Sequence, residues 1–277
     1  MSTLAIFNQT ITNPRTQDYL KQVLGEKKSS FVNNITSLVS NNAMLQECDS
    51  LTILYAGLKA TALDLPLDNN LGFAYVLPYN DTKAGKKVAQ FQLGYKAFIQ
   101  LAMRSGQFKT INVREVKKGE IINEDFVSGE IQFKMLSEKR EEAETIGYVA
   151  YFRLVNGFEK MFYMCNEKLE KHGKKFSQTF KKGYGLWKDD FDSMARKTVL
   201  KMLLSRYAPL SVEMQTAIKS DQAVISEKGE IYVDNQINSE SNEKAFKIIE
   251  KAFEEIEDAK EIKEDDNDKT LFEEQNE

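Results

Sequence analysis

Around Asn156-Gly157 the chain reads GYVAYFRLVNGFEKMFYM (147–164), two aromatic-rich runs that alternate apolar and polar residues. Alternation with a period of two marks a strand with one buried face. Two such runs joined by Asn-Gly, the favoured pair of a tight type I′ turn, make an antiparallel hairpin. Part of the chain is thereby committed to an antiparallel sheet. Further strands are expected in GFAYVLPY (72–79), VAQFQL (88–93) and FKTINVREV (108–116), the first two linked by the turn-rich loop NDTKAGKK (80–87). Residues 117–144 read as one more strand and an acidic loop.

Helical spacing flanks these strands. Tyr19, Leu20, Val23 and Leu24 share a face in 15–24, as do Phe31, Ile35, Leu38 and Val39 in 28–41. Asp49 or Ser50 caps a third helix with Leu51, Leu54, Tyr55 and Leu58 on one side, and Pro66 ends that region. GYKAFIQLAMRSGQF (94–108) is amphipathic. DDFDSMARKTVLKMLLSRYAPLS (189–211) is a strong helix with Asp189, Asp190 and Asp192 at its positive end. The fold class is α+β, and the expected organisation has four parts. Residues 1–41 form an N-terminal helical region offering oligomer contacts, and 42–212 the core. Residues 213–242 form a polar linker. Residues 243–277 form an acidic tail whose Phe246, Ile249, Phe253 and Ile256 line one helical side.

Charge divides along the same lines. From Asp221 onward 19 acids face 7 bases, a net of −12, whereas the first 220 residues hold 31 bases and 23 acids, a net of +8. Lys83 to Lys118 contains nine bases and a single acid, Glu115. A basic body points to a polyanionic partner. Three basic groups stand out. The first is Lys83, Lys86, Lys87, Lys96, Arg104, Lys109 and Arg114, with Gln100 between Lys96 and Arg104 on one face of the 94–108 helix. The second is Lys174, Lys175, Lys181 and Lys182, interleaved with Phe176, Phe180, Tyr184 and Trp187. The third is Arg196, Lys197, Lys201 and Arg206. Cations that track phosphates, with rings between them for bases to stack on, suit single-stranded nucleic acid. Each lysine taken alone reads as a solvated charge, and each aromatic taken alone as core.

Other chemistries are poorly served. AGKKV (84–88) lacks the first glycine and the hydroxyl residue of a P-loop, so ATP-driven action is disfavoured. His172 is the only histidine, expected at a helix end on the surface, and lacks partners for a triad or a histidine metal site. Cys48 and Cys165 match no metal or redox spacing and read as small buried residues. Asp189, Asp190 and Asp192 are the best carboxylate cluster, explained by helix capping. No apolar run reaches the ~20 residues of a membrane span, and the N-terminus does not resemble a signal peptide, so the location is read as cytoplasmic.

Three blocks carry a family resemblance. QFQLGYKAFIQLAMRSGQFKTINVREVKKGE, YVAYFRLVNGFEKMFYM and WKDDFDSMARKTVLKMLLSRYAPLS, in that order and spacing, resemble the RecT family of phage and prophage single-strand annealing proteins. The resemblance implies a bent antiparallel sheet packed on helices beside a basic groove, as in the Rad52 and Redβ annealing fold. It implies a non-enzymatic recombination protein that binds single-stranded DNA and anneals complementary strands into duplex without ATP, as a homo-oligomeric ring or filament. It also implies a phage exonuclease partner. The acidic tail suggests a contact with that exonuclease or with the host single-strand-binding protein. Mg²⁺ enters only as a condition that binding or annealing could require. A passive single-strand-binding protein and a metal-dependent nuclease built on Asp189–Asp192 are the alternatives.

Overall fold

A computed structural model describes residues 3–81, 84–125, 127–134, 136, 139–227 and 229–232. Five helices open the chain: α1 (Thr3–Thr12), α2 (Pro14–Leu24), α3 (Lys28–Ser40), α4 (Ala43–Gln46) and α5 (Ser50–Ala62). Their boundaries follow local chemistry. Asn13 caps α2 by accepting from the Arg15 N–H, with Pro14 in the first turn and Gly25 at φ +52 closing it. Asp49 caps α5 by accepting from the Leu51 N–H. Phe31, Ile35 and Val39 of α3 are buried. They pack closely on α5, where a Cβ at Gly57 would come within 2.9 Å of Ile35 Cδ1. This stripe is therefore intramolecular core, shared with Phe7 and Ile11 of α1. The large apolar residues that these N-terminal helices leave exposed are Ile6, Tyr19 and Val23 on α1 and α2, Met44 on α4 and Leu51 on α5.

The remaining elements are β1 (Ala74–Asp81), β2 (Lys86–Leu93), α6 (Tyr95–Arg104), β3 (Phe108–Lys117), β4 (Ile121–Glu124), β5 (Ile131–Phe133), β6 (Thr145–Leu154) and β7 (Glu159–Cys165), followed by α7 (Asn166–Phe176), α8 (Gln178–Lys181), α9 (Leu186–Asp189), α10 (Phe191–Tyr207), α11 (Val212–Ser220), β8 (Ala223–Ser226) and β9 (Gly229–Ile231). The architecture is α+β, as expected, with all strand pairs antiparallel. The strands form three sheets, ordered β1-β2-β8-β9, β3-β6-β7 and β4-β5. Tyr148, Ala150, Phe152 and Leu154 of β6 are buried, and α10 packs against the β3-β6-β7 sheet and α6. Helix α5 packs on β2 and β8. No described helix is long and apolar enough to cross a membrane.

Three sequence readings need correction. The β6–β7 loop is not a type I′ turn. Gly157 has φ +91, but Asn156 does not enter the left-handed region. The Gly157 N–H donates to Leu154 O at 3.1 Å, and the Leu154 N–H to Phe158 O at 2.8 Å. That is a type I turn closed by a left-handed glycine. The supposed linker is folded as far as Ile231. Ser211 caps α11 by accepting from the Met214 N–H, and β8 joins β2 through Gln90↔Val224 and Phe91↔Ala223. A four-residue strand is too short to show periodicity, and its partner lies more than a hundred residues away. His172 is half-buried, 4.6 Å from the Phe176 ring and 6.3 Å from Trp187. Burial, then Lys201 and Lys175, pulls its pKa down to about 4, so the ring is neutral near pH 7. Cys48 is buried, with its thiol pushed up to about 11 mainly by burial, while Cys165 is half-buried; both are free. The amphipathic stretch 245–256 and the rest of 243–277 lie outside the described residues.

Candidate nucleic-acid interface

The first β hairpin and α6 are tied together at Gly94. This residue caps α6 without a side chain, and its N–H donates to Phe73 O at 2.9 Å. A Cβ here would fall 2.1 Å from Gly72 O, and Gly72 itself has φ +74. Only glycine permits that approach. The contact fixes loop 68–72 against the start of α6 and shapes one wall of a groove of about 440 Å³. Asn69, Asn70, Tyr75, Gln92, Tyr95 and Lys96 line it. Leu186 of α9, the capping Asp190, and Ser193, Met194 and Lys197 of α10 line it as well. Burial, with Asp190 and Tyr95 nearby, raises the Tyr75 hydroxyl, which stays a protonated donor. Amides, tyrosine rings and a cation in one cleft can hold bases, sugars and phosphates together.

The structure divides the basic residues singled out by sequence. Lys83 lies outside the described residues. Lys86 bonds Asp49 at 2.8 Å, and Lys87 pairs with Glu47. Lys96 is exposed at the groove, its Nζ 3.3 Å from Leu71 O. Gln100 is half-buried. Arg104 donates to Leu63 O at 2.9 Å and to Asp64 O at 2.8 Å, closing the C-terminal end of α5. The acid-free face of α6 therefore clasps the 63–72 segment at both ends.

On β3, Lys109 and Arg114 are exposed and have no ion-pair partner among the described residues. Lys181 and Lys182 share that condition. Lys174 lies 3.6 Å from Glu170, and the Lys175 ammonium sits 5.2 Å from the Phe176 ring centre. Trp187 is core at 5% exposure, edge-on to Phe191 and stacked on Phe180 at 5.8 Å. Arg206 lies 5.1 Å over the Phe162 ring.

The rest of the α10 group is committed to the fold. Arg196 donates to Asp192 at 2.7 Å, to Glu115 at 2.5 Å and to Val113 O at 3.1 Å. Glu115 also accepts from Arg140 at 2.8 Å, and Arg140 bonds Glu120 at 2.6 Å. Lys197, only 5% exposed, donates to Asp221 Oδ1 at 2.8 Å, while Lys201 donates to Asp221 Oδ2 at 2.7 Å. The Leu93 N–H adds a bond to Asp221 Oδ1 at 2.9 Å. The Asp221 carboxylate thus fastens α10 to the end of β2. Asp190 caps α10 by accepting from the Ser193 N–H at 3.2 Å, which with the Asp192–Arg196 pair accounts for two of the three clustered carboxylates. Among the described residues no three His, Cys, Asp or Glu side chains converge to hold a metal ion.

Sequence reasoning missed Tyr75, Tyr95, Gln92, Asn69 and Asn70, neutral residues that the chain fold alone assembles. It also counted Asp221 with the acidic tail. Glu115 carried a usable signal, since the one acid in a basic run is a natural pairing partner.

The model of the RecT family matches residues 29–239, well over half of the chain. The chain belongs to the RecT family. It is 45% identical over 208 residues to the uncharacterized protein YqaK of Bacillus subtilis strain 168, covering 75% of this chain and 69% of that protein. It is 30% identical over 182 residues to Protein RecT of Escherichia coli strain K12, covering 64% of this chain and 65% of that one. Membership gives the chain a general role in DNA recombination and single-strand annealing. The family match runs past α10 through α11, β8 and β9, the region that carries Asp221.

Proposed function

We propose that the chain binds single-stranded DNA in the Lys96–Tyr75 groove and anneals complementary strands without ATP. The observation that carries this reading is the groove itself, which joins amides, two tyrosines and the Lys96 cation, with apolar side chains and the α10-capping Asp190, in about 440 Å³. The exposed cations Lys109, Arg114, Lys181 and Lys182 supply a wider field for phosphates. Annealing makes and breaks no covalent bond. Two strands repel each other, and neutralising their phosphates releases counterions and lowers that barrier. Base pairing then supplies specificity, so the protein has only to hold backbone and base faces. Repetition of a weak site along a homo-oligomer, as ring or filament, gives a long and tight one. The exposed Ile6, Tyr19 and Val23 are candidates for joining copies. The acidic tail is the candidate contact for an exonuclease or a host single-strand-binding protein.

The deciding experiment mixes labelled complementary oligonucleotides with the protein, with and without ATP and with and without Mg²⁺. Faster pairing at equal rates with and without ATP is expected, and any Mg²⁺ dependence is read from the same series. A strict ATP requirement, duplex melting or strand cleavage would each overturn the proposal, the last two in favour of passive single-strand binding or a nuclease.

A further inference from the structure

The segment 181–185, Lys-Lys-Gly-Tyr-Gly, joins α8 to α9. Gly183 and Gly185 have φ of +81 and +91, so Tyr184 sits between two left-handed glycines. The turn is firmly built. The Lys182 N–H donates to Thr179 O at 3.1 Å, the Gly183 N–H to Phe180 O at 3.0 Å and the Tyr184 N–H to Thr179 O at 3.0 Å. A Cβ at Gly185 would strike Thr179 Oγ1 at 2.6 Å, so the backbone lies tight against α8. The Tyr184 side chain is nevertheless 53% exposed, and among the described residues it makes no hydrogen bond or ring contact. Lys181, Lys182 and Lys188 around it are exposed and have no ion-pair partner among the described residues. Leu186, two residues further on, lines the groove.

A ring presented on an anchored turn, unused by its own subunit and set among uncompensated cations, has the components of a stacking platform. An unpaired base can cover its face while neighbouring phosphates meet the lysines. We infer that Tyr184 stacks on an unpaired nucleobase of the bound strand at the rim of the groove, without regard to base identity. This inference rests on the groove being a single-strand site. The sequence offered Trp187 for such a role, and the structure buries it three residues away.

The test compares the full-length native chain with Tyr184→Ala, Tyr184→Phe and Lys182→Ala. Binding is measured on a short labelled oligonucleotide and on a strand of abasic spacers of equal length. Tyr184→Ala should weaken binding to the intact strand by roughly 5- to 150-fold, the range of one lost base–aromatic stack. It should leave abasic binding and the salt slope unchanged. Tyr184→Phe should bind as the native chain does, because the face is retained. Lys182→Ala should instead lower the salt slope by about one unit. An equal loss on both strands, no loss on either, or smaller particles at unchanged affinity would overturn the stacking role. The last result would assign the ring to a contact between copies. Failure of the native chain to bind any single strand would remove the groove reading and the stacking role together.

Discussion

Replacing Asp221 with alanine is expected to unfold much of what the groove depends on. Its carboxylate is fully buried and accepts from Lys197, Lys201 and the Leu93 N–H. Without it, Lys197 remains buried beside another ammonium with no anion. Removing one partner of a buried pair costs roughly 3–5 kcal/mol, because the surviving charge is left uncompensated. The orphaned Leu93 N–H is part of that figure and is not added to it. For a folded unit of this size, roughly 2–4 °C of melting temperature goes with each kcal/mol, so the expected drop is about 6–20 °C. Urea denaturation of native, Asp221→Ala, Lys197→Met and double-variant proteins measures the free-energy loss, and thermal melts of the same proteins measure the drop in melting temperature. The double variant should recover stability relative to Asp221→Ala, since it removes the uncompensated ammonium; Lys201 is more exposed and can reach water. Burial alone would raise the Asp221 carboxyl, but Lys197 and Lys201 outweigh it and hold the group below its ordinary range. A lowered carboxyl pKa contributes stability above the unfolded value of about 3.9, lost as pH falls further. A loss under about 1 kcal/mol for Asp221→Ala, or no recovery in the double variant, would refute this account.

Charge removal should separate cations that face solvent from those that serve the fold. Lys109→Ala and Lys181→Ala should each flatten log Kd against log salt by about one unit at unchanged melting temperature, whereas Arg196→Ala and Arg104→Ala should lower the melting temperature first. Gly94→Ala should distort the groove, because its methyl would land 2.1 Å from Gly72 O; weakened single-strand binding beyond any loss of stability is the expected readout. Burial alone would raise the Glu115 carboxyl, yet Arg140 and Arg196 pull it to about 2. The stability it contributes is present above its unfolded pKa of about 4.3 and is lost as pH falls toward 2. Glu115→Gln should therefore flatten the acid limb of the stability profile, which a series of melts from pH 6 to pH 2.5 would show.

The sequence by itself determined the elements whose cause is local. Asp49 and Asp190 mark helix starts because a short side chain reaches the free N–H groups of its own first turn. The alternating runs of β6 and β7 mark strands because neighbouring residues face opposite sides of a sheet, and the family motifs lie in these same segments. Where a loop's fine geometry was at stake, Asn156-Gly157 placed the turn but did not fix its type, which depends on how the strands leave it. Tertiary structure alone decided which charges were free. Lys197 and Lys201 share a helix face with nothing nearby in sequence to neutralise them. Their anion, Asp221, arrives only when α11 returns the chain to β2. Trp187 and Tyr184 are near neighbours in one aromatic-basic stretch, yet one packs against Phe180 and Phe191 while the other is held out by its flanking glycines. Local pattern records which residue types are present, whereas the partner of a charge or a ring is set by contacts that close loops of many tens of residues.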